Sequence, residues 1–251
     1  MDDYKLIIDL HKNAVRQGPG GEAETKRAME LAMIDRSRPL KIVDIGCGTG
    51  ASTLVLARES NARITAVDFL PEFLDELQSR ASIQGVIDKI TTLACSMDSL
   101  PFSDEEFDVI WSEGAVYNIG FEAGISLWKR FLKPGGMIIL SEITWLSATR
   151  PPDLQAYWDK EYPEIDSASS KIGLLECHGY TPEAYFVLPK HCWLENYYRP
   201  MESRFGEFLQ RNEQNEQAKE IVDAEKNEIA LYEKYNTYYS YGVYVAKKLE
   251  S

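Results

Sequence analysis

Residues 41–50 read K-I-V-D-I-G-C-G-T-G, and the rest of the chain is organised around them. Ile42, Val43 and Ile45 form a short β-branched apolar run interrupted by Asp44. Gly46, Gly48 and Gly50 close that run before a new segment starts at Ala51. The pattern predicts a buried strand ending in a turn. Glycine takes φ > 0 without strain and puts no Cβ between the backbone and a ligand. The segment that follows, 51–59, is rich in helix formers, so its free N–H groups and positive dipole end point into the turn. A nucleotide-like cofactor site is expected here.

The glycines alone leave the cofactor open. Gly46-x-Gly48-x-x-Ala51 satisfies a relaxed dinucleotide fingerprint, and Asp68 stands where an acid that binds ribose hydroxyls belongs. Asp44 separates the alternatives. Its carboxylate would repel a pyrophosphate lying close to the turn, but would attract a ligand that presents an amine and a sulfonium. S-adenosylmethionine (SAM) has that charge pattern, and D-x-G-x-G at a strand end resembles the first motif of the class I SAM-dependent methyltransferases.

Outward from this turn, strands and helices alternate. Strands are predicted at 63–68, 90–95, 107–111 and 137–141, with helices at 71–84 and 121–132; Pro71 opens the first helix and Gly85 follows it. Such spacing implies right-handed βαβ units and a parallel sheet. Asp68 ends the second strand, Ser96-Met97-Asp98 follows the third, and L-K-P-G-G at 132–136 precedes the fifth. With the glycine turn, these features resemble the small-molecule class I methyltransferases, including the quinone-biosynthesis type, over residues 39–143. The resemblance implies an α/β, three-layer Rossmann-like fold. Its seven-stranded sheet would be mostly parallel, with an antiparallel last strand inserted between strands five and six. It also implies that Asp68 holds the ribose hydroxyls, that Phe69 flanks the adenine and that Ser96 and Met97 line the adenine pocket. Gly18, Asp44, Gly46, Gly48, Gly50 and Glu113 complete the expected cofactor contacts.

Residues 1–38 read as a helical leader: a helix over 1–14 with Leu6, Ile7, Leu10 and Val15 on one side, a break at Q-G-P-G-G (17–21), and a helix over 22–34. The break is a cheap hinge, expected to lie over the cofactor as a lid. Residues 39–251 read as one methyltransferase domain with insertions at 145–165 and 189–236. The first insertion is aromatic (Trp145, Tyr157, Trp158, Tyr162). A helix over 166–177 and a strand over 182–188 come next. The second insertion is polar and helical, split near Asn212, with Phe205, Phe208 and Leu209 marking an apolar face; it is the expected place for substrate specificity or a homodimer contact. Residues 238–249 close the chain as a strand.

Methyl transfer from a sulfonium is an in-line displacement, so alignment in a dry pocket supplies most of the acceleration and a strong base is optional. The sequence matches that demand. His11, His178 and His191 fall in no metal-ligand or triad spacing, so no metal is expected. The candidates for catalysis are Glu113 and Tyr117 after strand four and Glu142 after strand five. Glu113 and Glu142 are placed to take a proton or hold a cationic acceptor, with Tyr117 and Trp145 as an aromatic wall. Residues 112–115 read S-E-G-A where amide-methylating enzymes carry N/D-P-P-Y, which argues against an amide nitrogen acceptor. The expected function is methyl transfer from SAM to a small-molecule acceptor. The alternatives are a non-catalytic SAM-binding protein and, disfavoured by Asp44, an NAD-dependent oxidoreductase.

The bulk numbers agree. Lysine and arginine number 27 against 40 aspartates and glutamates, a net charge of −13 that opposes nucleic acid as partner. No run is long enough to span a bilayer, and Asp2 and Asp3 open the chain instead of a basic segment, so a cytoplasmic protein with no membrane insertion is expected. Cys47, Cys95, Cys177 and Cys192 form no C-x-x-C pair and are expected as reduced, buried thiols.

Overall fold

The computed structural model describes residues 4–250; the part of the first predicted helix at Met1–Asp3 lies outside them. Helices α1 (Lys5–His11) and α2 (Glu22–Leu31) precede strand β1 (Lys41–Ile45). Next come α3 (Ala51–Glu59), β2 (Arg63–Asp68), α4 (Pro71–Ile83), β3 (Ile90–Ala94), β4 (Phe107–Glu113), α5 (Phe121–Trp128) and β5 (Leu132–Trp145). Then α6 (Pro152–Glu161), a two-residue β6 (Asp166–Ser167), α7 (Ala168–Cys177) and β7 (Tyr180–Val187) follow. Short α8 (Lys190–Trp193), a π turn (Leu194–Tyr198), α9 (Arg199–Glu202), α10 (Phe205–Arg211), the long α11 (Glu216–Tyr235) and β8 (Tyr239–Lys248) complete the order.

The sheet runs β3-β2-β1-β4-β5-β8-β7, with β6 paired to β5 off this path. Strands β1 to β5 pair in parallel, and β8 lies antiparallel between β5 and β7, as the resemblance implies. Helices cover both faces, so β1 is buried from Ile42 onward and its sequence is apolar without alternation. On one face, Ala28, Leu54, Leu77 and Val222 of α2, α3, α4 and α11 pack with Ile42 and Ile64. On the other, Phe121, Ile125 and Leu175 of α5 and α7 pack with Val43, Ile110 and Leu140. Strand β8 serves both faces: Tyr241 and Val243 join the first core and Tyr244 and Ala246 the second, which is the period of two expected of a fully covered strand. Among the described residues, no helix is long and apolar enough to cross a membrane.

Several expected boundaries move. The fifth strand takes in the K-P-G-G turn, with Gly135 at φ +71, and runs from Leu132 to Trp145, because β8 offers it a ladder from Met137 to Trp145. The first helix ends at His11, leaving Val15 exposed. Cys47 and Cys192 are buried as expected, but Cys177 is exposed and Cys95 half-buried.

Gly50 caps α3 at φ +87, and a Cβ there would stand 2.1 Å from Leu77 Cδ1 on α4. Gly85 has φ +68 with nothing within 4 Å of its missing Cβ. Gly50→Ala is therefore expected to cost about 2–4 kcal/mol, strain plus overpacking, and Gly85→Ala only about 1 kcal/mol. Urea unfolding of both variants checks this; equal midpoints would show that the α3–α4 contact yields freely.

Candidate active site

The chain runs outward from β1 through β2 and β3, then returns to place β4 on the other side of β1. Where strand order reverses, the loops at the carboxyl ends part and leave a crevice. A cavity of about 740 Å³ lies there. One half is built from the glycine turn and the ends of β2 and β3. Gly46 (φ +74) and Gly48 (φ +55) form its floor, their Cβ positions being blocked by Ala115 Cβ at 2.3 Å and Gln17 Oε1 at 2.5 Å. Asp68 stands at the rim. Its Oδ2 accepts the Gly48 N–H at 2.8 Å and its Oδ1 the Leu70 N–H at 3.0 Å, so each oxygen keeps a lone pair for another donor. Burial pushes this carboxyl upward, with the Leu70, Gly48 and Phe69 backbone N–H groups acting against the rise. Phe69 is 58% exposed and stands edge-on to Tyr4 at 5.7 Å. Ser96, Met97 and Gly18 also line this half.

The Gly18 loop is fastened down, which changes its reading from a loose lid to a stitched wall. Gln17 Oε1 accepts the Thr49 N–H at 2.9 Å, and Gln17 Nε2 donates to Thr49 Oγ1 at 2.9 Å. The Gly20 carbonyl accepts from Asn196 Nδ2 at 2.8 Å. Arg16 donates to Glu113 Oε2, and Glu113 Oε1 accepts from Thr25 Oγ1 at 2.7 Å and Trp111 Nε1 at 3.0 Å. This corrects the expectation for Glu113: it does not line the cavity, and both of its oxygens already hold the leader against β4. No local pattern signals this partner set, since Arg16 and Thr25 lie 97 and 88 residues away.

Other expected residues sit behind the wall. Asp44 is fully buried below the turn, where its Oδ2 accepts Ser52 Oγ at 2.8 Å and Thr53 Oγ1 at 2.7 Å from the first turn of α3. Its Oδ1 has no partner, and burial pushes the carboxyl up to about 7. Asp44 thus acts on the turn from beneath instead of forming its surface, and Gly50 packs on α4 instead of facing the cavity. Glu142, 1% exposed, is also displaced from its expected place. Side chains alternate along β5, so Ile143 lines the cavity while Glu142 points to the face covered by α5 and α7. There it lies 3.9 Å from Lys171 Nζ, itself 4.7 Å from the Phe121 ring centre. Burial lifts Glu142 to about 7 and lowers Lys171. Trp145 is buried against Tyr239 and contributes no wall.

Tyr117 is where the sequence reading put it, at the cavity, 6.3 Å from the Tyr162 ring. These two begin the second half of the cavity, which the two insertions enclose. Trp158 comes from α6, Trp193 and Tyr197 from α8 and the π turn, and Tyr241 from β8. Among these rings stand Glu161 of α6 and Glu225 and Glu228 of α11. Glu228 Oε1 accepts Tyr198 Oη at 2.8 Å; Glu225 Oε1 lies 3.8 Å from His11 Nε2 and its Oε2 is buried without a partner. Burial, with Glu228 beside it, pushes Glu225 up to about 7, and burial raises Glu228 too. Burial and then the Arg204 charge lower His11 to about 4, leaving it neutral near pH 7. A signal for these acids did exist. Ala218, Val222, Ile229 and Tyr232 are buried at helical spacing, and Glu225 occupies the missing position of that stripe.

The structure also gathers Glu24, His191 and Cys192, with His191 Nε2 3.4 Å from Glu24 Oε1 and 3.7 Å from Cys192 Sγ. Spacing could not reveal it, because Glu24 comes from the leader. Burial pushes the Cys192 thiol far up, holding it protonated beside these groups.

The geometry has counterparts. The Methyltransferase domain family matches residues 42–136. An uncharacterised methyltransferase of Bacillus subtilis (strain 168), YodH, is 31% identical over 174 residues, covering 68% of this chain and 72% of that protein. An uncharacterised protein of Haemophilus influenzae is 28% identical over 143 residues, covering 56% of this chain and 55% of its own. The chain spans about half the length of several curated relatives that it matches. A SAM-dependent methyltransferase of Geobacter sulfurreducens, solved with S-adenosyl-L-homocysteine, superposes with a TM-score of 0.84 at 19% identity, over 96% of this chain and 97% of that one. That likeness establishes the fold, and the similarity to YodH extends beyond the glycine turn to two thirds of the sequence. The chain belongs to the class I SAM-dependent methyltransferase family.

Proposed function

We propose that this chain transfers a methyl group from SAM to a small molecule seated in the aromatic half of the cavity. The observation that carries the reading is one continuous space bounded at one end by Gly46, Gly48 and Asp68 and at the other by Tyr117, Trp158 and Tyr162. The first end fits SAM: Asp68 has lone pairs for two hydroxyls, two glycines form the floor, and the buried Asp44 carboxyl lies beneath with its Oδ1 unpartnered. When bound, SAM supplies a methyl group already activated for displacement. This chain would then contribute binding, alignment and exclusion of water. Phe69 and Met97 would flank the adenine, and the stitched Gly18 loop would close one side. With Glu113 and Glu142 outside the cavity wall, neither takes part in proton transfer in this reading.

The test has two parts. Calorimetry is expected to give binding of S-adenosylhomocysteine and none of NAD; the reverse overturns the cofactor. Incubation with radiolabelled methyl donor and a metabolite extract is expected to yield a labelled small product that needs the protein. Binding without any labelled product would assign a passive SAM binder.

A further inference from the structure

The acceptor half of the cavity carries charge of one sign. Among the described residues that line the whole cavity, the acids are Asp68, Asp98, Glu161, Glu225 and Glu228, and no lysine or arginine faces them. Asp68 and Asp98 belong to the cofactor half. The other three stand among the aromatic rings, where nothing found in the first half accounts for them. The base closest to Glu225 is His11, at 3.8 Å, and it is held neutral. Glu161 alone has a cationic partner, Lys160 at 2.6 Å on the exposed side of α6.

Glu225 and Glu228 are three residues apart on α11 and so share a face of that helix. That face is the buried one. A glutamate within a stripe of Ala218, Val222, Ile229 and Tyr232 costs desolvation that an apolar residue would avoid, and the buried Oε2 of Glu225 has no donor. Trp158, Tyr162, Tyr197 and Tyr241 surround the same space. Carboxylates without counter-ions, set among electron-rich ring faces, complement an organic cation. A divalent metal ion is a poorer match. Among the described residues, the three-ligand cluster with donor atoms within 4.8 Å of one another is Glu24, His191 and Cys192, and Glu161, Glu225 and Glu228 form no such group.

We infer that the small molecule taken by this chain is an organic amine, recognised as its ammonium form by Glu225 and Glu228 within the ring wall of Trp158, Tyr162, Tyr197 and Tyr241. This rests on the proposed methyl transfer for the word acceptor, but the cation preference of the wall does not depend on it. Glu225 has a second task in this arrangement. An ammonium must lose a proton before its nitrogen has a lone pair to share. The N–H bond breaks with its electrons staying on nitrogen, and the proton goes to Glu225 Oε2.

The test uses a matched pair of probes, choline and its uncharged carbon isostere 3,3-dimethyl-1-butanol, titrated into the full-length protein with and without saturating S-adenosylhomocysteine. Tryptophan fluorescence and calorimetry report binding, so no turnover is needed. Choline is expected to bind at least about tenfold more tightly than the isostere, and the Glu225→Gln/Glu228→Gln pair to abolish that preference while leaving S-adenosylhomocysteine affinity unchanged. Equal affinities, or a preference for the isostere, overturn the inference. So does a folded double variant that still prefers choline. Magnesium competing with choline for the wild-type site would transfer the wall to a metal and overturn it as well. If the double variant does not fold, the wild-type comparison of the two probes still decides. Loss of S-adenosylhomocysteine binding in the wild type would defeat the methyl-transfer reading alone.

Discussion

Replacing Asp68 with alanine is expected to lower S-adenosylhomocysteine affinity by about 100-fold or more, while the protein remains folded. The carboxylate ends β2 at the rim of the cavity and spends one lone pair of each oxygen on the Gly48 and Leu70 N–H groups. What remains are two acceptors that, in the proposed reading, meet a ligand diol. Hydrogen bonds to a charged group contribute about 1.5–3 kcal/mol each, so losing two predicts a drop of two orders of magnitude at the least. Asp68→Asn separates charge from shape. It keeps an oxygen for one N–H group and loses the charge, and an intermediate loss is expected. Calorimetry on both variants, with circular dichroism as a check on folding, measures this. An Asp68→Ala protein that binds within threefold of wild type would remove Asp68 from the cofactor site.

The second large effect concerns Glu113. Glu113→Leu is expected to destabilise the fold by about 3–5 kcal/mol, because it strands the Arg16 guanidinium without its counter-charge. Arg16 is 9% exposed and Glu113 16%, so little water is available to replace the partner. The loss also frees Thr25 Oγ1 and Trp111 Nε1 from their shared acceptor. The double substitution Arg16→Met/Glu113→Leu is expected to recover much of that stability, since replacing a buried pair by apolar groups is often neutral. Urea unfolding of both singles and the double closes the cycle. Additive effects would mean that the pair is not coupled, and Glu113 would become available again as an acid–base group. The same substitution bears on ligand binding, since Arg16 adjoins Gln17 and Gly18. A weaker leader should raise the dissociation rate of S-adenosylhomocysteine more than it changes the association rate.

Within the candidate site, what could be read and what could not divide along a physical line. Gly46, Gly48, Asp68, Phe69, Ser96 and Met97 lie at strand ends or in turns, where local backbone demands and a short spacing reveal a residue's place. All of them line the cavity, and so do Gly18 and Tyr117. Glu113 and Glu142 depart from their expected places for two distinct reasons. Glu142 stands at a strand end, but its direction depends on the pleat, and a shift of one residue moves a side chain to the opposite face. Glu113 reads as part of an open loop end, but Arg16 and Thr25, far off in sequence, occupy its carboxylate. Glu225 and Glu228 belong to a polar helix whose many acids look alike in the sequence. Only the packing of α11 shows which of its many acids face inward.

The sequence by itself determined the strand–turn–helix at residues 41–59 and the order of strands and helices around it, while the antiparallel β8 between β5 and β7 was implied by the family resemblance. Hydrophobic periodicity and glycine placement act over a few residues, so they are visible in a linear text. The tertiary structure decided which acids are sealed, which hold the leader in place and which face the cavity. Those outcomes depend on how the elements pack, including contacts between residues far apart in the chain, such as Arg16 with Glu113 and His11 with Glu225, and no local pattern encodes them.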